Sequence, residues 1–170
     1  ELCRKIRSLS ETLPLIFLTS KDEEFDRILG LEIGGDDYLC KPFSMRELMA
    51  RIKVLFRRIS HQKGQTKDED ILLKGELKLN LQCYTVEWKG KNVPLTVTEF
   101  MLLRSLVKFP GHVKNREQLM KEAYPHNTYV SDRTIDSHIK RLRQKFVHVD
   151  SDFFCIETVY GLGYRYKVGS

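Results

Sequence analysis

Residues 131–146 read SDRTIDSHIKRLRQKF. Ile135, Ile139, Leu142 and Phe146 recur at helical spacing and, at about 100° per residue, share one narrow face. The opposite face carries Arg133, Ser137, Lys140, Arg141 and Gln144, flanked by Thr134, His138, Arg143 and Lys145. The stretch holds five basic and two acidic side chains, with Ser131 or Asp132 placed to cap it. A helix buried on one side and rich in guanidinium and hydroxyl groups on the other suits the DNA major groove, where arginine reads guanine edges with paired hydrogen bonds. Taken alone, such a helix is more often a solvated basic face. Its neighbours decide.

Downstream, CIETVYGLGYRYKV (155–168) reads as two aromatic-rich strands around Gly161 and Gly163, a β-hairpin. Upstream, TVTEFMLLRSLVKFPG (96–111) is a helix capped by Thr96 and Glu99 and stopped at Pro110-Gly111. NREQLMKEAY (115–124) is a second helix with Asn115 and Gln118 as its cap. Three helices followed by a hairpin make the winged form of helix-turn-helix, and in that setting the basic face of 131–146 becomes a DNA reader. Before the helices, ELKLNLQ (76–82) and YTVEW (84–88) alternate apolar and polar residues as antiparallel strands do, with KGKN (89–92) as a turn. ISHQKGQTKDED (59–70) is polar and unpatterned, the composition of a linker.

Residues 1–58 follow a different rule. ELCRKIRSL ends a helix, LIFLT (15–19) is a continuous apolar strand, and DEEFDRILGLEIG (22–34) is helical. DYLC (37–40) is a second short strand, and SMRELMARIKVLFRR (44–58) is a helix with Ser44 and Glu47 as its cap. Leu48, Met49, Ile52, Leu55 and Phe56 form its expected buried stripe. Strand–helix–strand–helix at these lengths gives a βαβ unit with parallel strands. The fold expected is therefore α/β over 1–58 and an α+β winged helix over 71–170. Two parallel strands alone leave apolar surface such as LIFL in need of cover.

Charge divides along the same boundary. Residues 1–58 hold 11 basic and 10 acidic side chains, and residues 59–170 hold 18 and 13. The +6 net charge thus sits mainly in the second part, which favours a polyanionic partner there. No apolar run approaches the roughly 20 residues of a membrane span, and no secretory leader pattern appears. The four cysteines lie far apart in apolar stretches and read as reduced, buried thiols of a cytoplasmic protein. No nucleophile–base pair, metal cluster or phosphate-cradling glycine loop points to an enzyme.

Taken together, the chain resembles a response regulator of the OmpR/PhoB type. TEFMLLRSL, SDRTIDSHIKRLRQKF and TVYGLGYRY resemble the output domain, while LIFLTSKDE, GGDDYLCKPFSMRELMARI and the RR before the linker resemble the second half of a receiver. The resemblance implies a phosphate switch in which Lys41 and Thr19 bind phosphoryl oxygens, a cis bond before Pro42 aims Lys41, and Tyr38 turns inward. The phosphoacceptor aspartate and the acidic pair for Mg²⁺ are expected on the order of 60 residues upstream. No cofactor is expected within the chain itself.

The resemblance also implies a homodimer through Arg27, Asp36, Asp37, Glu47, Arg51 and Arg58, with Ile28, Leu31 and Met49 as the apolar patch. Arg133, Thr134, Ser137, His138, Lys140, Arg141 and Arg143 match its DNA contacts. Arg141 is expected to read bases, and Lys140, Arg143 and His138 to hold phosphates. Tyr124 is a further expected backbone contact. In the wing, Thr158, Tyr164 and Arg165 fit the pattern, whereas Tyr160 stands where many members carry an arginine. The implied partners are double-stranded DNA, a sensor histidine kinase and, through residues 124–130, RNA polymerase. The competing reading is a winged helix that docks on protein beside a degenerate receiver remnant.

Overall fold

Two changes of hydrophobic period set the architecture, as a computed structural model describes for residues 1–21, 23–59, 71–124 and 132–168. Helix α1 (Leu2–Leu9) leads to strand β1 (Ile16–Thr19), helix α2 (Glu24–Glu32) crosses to strand β2 (Asp37–Cys40), and helix α3 (Met45–Ile59) follows. The two strands pair in parallel, Ile16 opposite Asp37 and Thr19 opposite Cys40, as a helical crossover requires. Ser44 Oγ accepts the Glu47 amide at 3.0 Å, fixing the start of α3. The expected buried stripe of α3 is only partly covered. Leu55 is buried and Leu48 and Ile52 are half-buried, but Met49 and Phe56 are 45% and 60% exposed, because a two-stranded sheet is too narrow to hide a helix of this length.

The second part opens with an antiparallel sheet of β3 (Ile71–Lys74), β4 (Leu77–Asn80), β5 (Thr85–Trp88) and β6 (Lys91–Asn92), in that order. β4 and β5 are the alternating strands. β3 escapes the alternation rule because Ile71, Leu72 and Leu73 run apolar without a break, and β6 occupies residues expected in the turn, which is confined to Lys89 and Gly90. Leu77, Leu79, Val86 and Trp88 turn inward beneath helix α4 (Val97–Lys108).

Helix α5 (Arg116–Ala123) and helix α6 (Asp132–Val149) complete the three-helix core, and β7 (Ile156–Val159) and β8 (Gly163–Tyr166) form the hairpin. Both expected capping boxes are present, Thr96 with Glu99 and Asn115 with Gln118. Ile135, Ile139, Leu142 and Phe146 are all buried as the spacing demands, and α6 continues past Phe146 to Val149. Phe146 stacks on Phe153 at 4.2 Å, with Trp88 edge-on to both. Ile139→Ala should cost ~2–5 kcal/mol by opening a cavity at the middle of this core. A denaturant titration checks it, and an unchanged midpoint would mean that α6 is rotated relative to this description.

Candidate nucleic-acid interface

Helix α6 has three working strips, and the apolar one points into the core. The outward strip carries exposed Arg133, Lys140 and Gln144. On its hairpin side Arg143 donates from Nε to the Ile156 carbonyl and from Nη2 to Thr158 Oγ1, both at 2.9 Å. Its guanidinium also lies over the Tyr164 ring at 5.6 Å, with Arg116 over the same ring at 5.3 Å. Tyr164 donates its hydroxyl to Asp136 at 2.6 Å, and Arg116 binds the same carboxylate at 2.7 Å. Arg165 is paired with Glu157 at 2.7 Å. The hairpin is thus tied to α6 by cations that leave charge at the outer surface between them.

The third strip holds Thr134, His138 and Arg141. Thr134 and His138 were expected on the flank of the DNA face, but both are buried, because α5 and α2 close over this side. Tyr164 is buried as well. Arginine can only donate, so the 2.8 Å contact from Arg141 Nη2 makes His138 Nδ1 the acceptor. Nε2 then carries the proton toward the Tyr124 hydroxyl at 2.6 Å. Burial, reinforced by the Arg141 charge, holds the imidazole well below its usual range. Burial likewise raises the Tyr124 phenol.

Arg141 itself reaches the last turn of α2. Nη2 donates to the Leu31 carbonyl at 3.1 Å and Nη1 to the Glu32 carbonyl. The Leu31 carbonyl also accepts the Gly34 amide at 3.2 Å; both carbonyls lie in the last turn, at the negative end of the helix dipole, so a guanidinium caps them. Ser137 Oγ donates to the Glu32 carboxylate at 3.0 Å. Lys145 binds Glu99 at 2.9 Å, and that same carboxylate closes the α4 capping box. Arg141, expected to read bases, and Ser137, matched to a DNA contact, are therefore both engaged by α2.

At the strand ends, Thr19 and Lys41 lie side by side: the Lys41 amide donates to the Thr19 carbonyl at 2.7 Å, and the Lys41–Pro42 peptide is cis. Lys41 is exposed. Tyr38 lies inward, stacked on Phe17 at 5.9 Å, with its hydroxyl donating to the Lys21 carbonyl at 2.8 Å.

The family models for "Response regulator receiver domain" and "Transcriptional regulatory protein, C terminal" match residues 1–53 and 90–166. The transcriptional regulatory protein BaeR of Escherichia coli O6:H1 is 46% identical over 98% of this chain and 68% of its own. The chain is a response regulator of the OmpR/PhoB family. Among solved structures of the family, DrrB of Thermotoga maritima is 32% identical, with a TM-score of 0.51 over 98% of this chain and 72% of its own. The DNA-binding domain of Klebsiella pneumoniae RstA, solved in complex with the RstA box, is 29% identical. It has a TM-score of 0.51 over 58% of this chain and 98% of its own.

In this regulator, the residues expected to form an outward dimer face are largely turned inward. Leu31 has no exposed surface, because α6 covers it. Asp36 is buried, paired with Arg7 at 2.8 Å and accepting the Leu15 amide at 3.0 Å. It also accepts the Thr98 hydroxyl at 3.3 Å. Burial raises the Asp36 carboxyl, while Arg7 and the amides oppose that rise. Asp37 pairs with Arg51 at 3.0 Å, and Arg51 with Glu47 at 3.0 Å. Arg27 and Ile28 are half-buried and Met49 is exposed; Arg58 lies outside the described side chains, as do Ser131 and residues 125–130. Among the described residues no three His, Cys, Asp or Glu side chains converge on a metal-sized site. Nor is any helix among them long and apolar enough to cross a membrane.

Sequence reasoning missed Glu32 and Thr98, and no local pattern could have marked them, since their partners lie more than sixty positions away along the chain. The buried imidazole has a measurable consequence. The unfolded chain takes up a proton at an ordinary imidazole value of 6.5, which the folded ring refuses, so the fold loses stability as pH falls below that value. The melting temperature should drop between about pH 7 and about pH 5, and His138→Gln should flatten that slope. A slope unchanged in the variant would assign the titration to another group.

Proposed function

We propose that the protein binds double-stranded DNA with α6 in the major groove and the β7–β8 hairpin alongside it. The observation that supports this reading best is the outward strip of Arg133, Lys140 and Gln144, continued by Arg143 onto the hairpin. In this reading α2 has two exclusive uses. Packed on α6, it holds Arg141 and Ser137 away from bases; released, it frees them together with Leu31 and Ile28. A second copy then covers the freed apolar residues, giving a homodimer whose charged rim includes Arg27, Glu47 and Arg51. Two linked modules on neighbouring half-sites bind more tightly because the second contact becomes intramolecular.

The release is phosphate-operated, with Thr19 and Lys41 as the phosphate-binding pair and Tyr38 as the inward aromatic. The phosphoryl group, its aspartate and the Mg²⁺ pair belong to a receiver segment other than the residues described. Asp36 and Asp37 are taken by Arg7 and Arg51. A sensor histidine kinase supplies the phosphoryl group, RNA polymerase meets residues 124–130, and the setting is the cytoplasm. The intact mass of the native-source protein, taken with and without a small-molecule phosphodonor, tests this part. Gain of one phosphoryl group supports it, and no gain overturns it.

For DNA binding, a randomised duplex pool is selected with the full chain and affinity is followed against salt. A steep fall with rising salt is expected from counterion release; flat binding would favour the protein-docking alternative. Leu31→Ala should raise affinity by loosening α2 from α6. Adding Arg141→Ala in that background should remove about 1–3 kcal/mol and relax preference at one base pair. An unchanged preference would sink the assignment of Arg141.

A further inference from the structure

The tip of the hairpin is apolar, exposed and held in place. Tyr160 is 92% exposed and Leu162 62% exposed, the first of these the most exposed large hydrophobic residue described. The Leu162 amide donates to the Val159 carbonyl at 3.0 Å, closing a turn with Gly161 at φ +74° in its third position. In that geometry Tyr160 projects from the outer corner. The base of the hairpin is fixed from two directions. Tyr164 exchanges backbone hydrogen bonds with Lys114 at 2.8 and 2.9 Å. A Cβ on Gly163 would lie 2.1 Å from the Lys114 carbonyl oxygen, so the strand sits against that segment without slack. Arg143 binds the other side from α6.

From Val159 to Tyr164 no residue is charged, whereas the base of the hairpin carries Arg143 and Arg116 around the Tyr164 ring. A scattered surface aromatic needs no explanation. This one stands on a rigid arm beside the outward strip of α6. A helix about 10–12 Å across fills a major groove about 12 Å wide. An arm fixed beside such a helix therefore meets the flanking phosphates and then the neighbouring minor groove. The cations suit the phosphates, and an uncharged aromatic tip suits only the groove floor.

Building on the DNA-binding reading above, we propose that Tyr160, backed by Leu162, is a wedge that inserts at a base step in the minor groove. It makes the protein selective for deformable DNA there rather than for particular base edges. Apolar side chains used in this way part the stack and kink the duplex. Pyrimidine–purine steps yield most easily, so they are the sequences selected.

The test uses the full chain and the same randomised duplex pool. Wild type should enrich a TA or CA/TG step at a fixed distance from the sequence read by α6. Tyr160→Ala should lose that enrichment, keep the α6 sequence, and bind about tenfold more weakly. Tyr160→Phe should behave as wild type, since the ring and not the hydroxyl does the work. A fluorescent adenine analogue placed at the enriched step should brighten when wild type binds and stay dark with Tyr160→Ala. Because Tyr160 packs on so little, the alanine variant should melt with wild type. If wild type enriches no duplex, the DNA reading fails and the wedge with it. If a duplex is enriched but Tyr160→Ala keeps the step preference and the affinity, the wedge alone is overturned.

Discussion

The Asp36 carboxylate has no exposed side-chain surface, yet four groups from three parts of the chain converge on it: the Arg7 guanidinium, the Leu15 amide, and the amide and hydroxyl of Thr98. Thr98 lies in the first turn of α4, where unpaired amides and the positive end of the helix dipole favour an anion. Burying a charge is costly unless it is paired and hydrogen-bonded, and here both conditions are met by groups that come from different domains. Remove α4 from Asp36 and the carboxylate keeps Arg7 but loses two donors. Remove Arg7 and the carboxylate keeps only neutral donors, with no cation to pair its charge. The placement of α2 follows, because Asp36 lies just beyond its C-terminus and fixes where Leu31 and Glu32 meet α6.

From that joint runs a polar seam along the length of α6. Ser137 meets Glu32, Arg141 meets two α2 carbonyls, and Lys145 meets Glu99. Leu31 supplies the apolar contact beneath them. Each partner on the α2 side is replaceable by DNA in kind, since carbonyl and carboxylate oxygens present to Arg141 and Ser137 the same acceptors that base edges do. In the proposed release of α2, one set of acceptors is exchanged for another, and the residual cost falls mainly on re-exposed Leu31.

Much of the local structure was legible because it is governed by neighbours in sequence. The capping boxes of α4 and α5, the buried stripe of α6 and the β7–β8 hairpin each need only a few residues to declare themselves. So did the division into parallel and antiparallel halves, which rests on continuous against alternating hydrophobicity. β3 was missed because ILLK does not alternate, and the exposed flank of α3 was missed because a periodic stripe says which face is apolar, not whether anything covers it. The site was only half legible. Helical spacing separates the core face of α6 from the rest, but three residues beside that face, Thr134, His138 and Arg141, owe their positions to α5 and α2. No periodicity encodes which surface a second domain will occupy.

The double employment of Arg141 has a consequence for how such a protein can change. The same guanidinium that is assigned to read a base also caps the last turn of α2. On the proposed reading, a substitution of Arg141 that retargets the protein to a new binding site also weakens its resting clasp, and the variant reads its new sequence with a raised background. On that reading specificity and leakiness are carried by one side chain, and a change of target through this position calls for resetting the clasp elsewhere, with Glu32 and Leu31 the nearest places to do it.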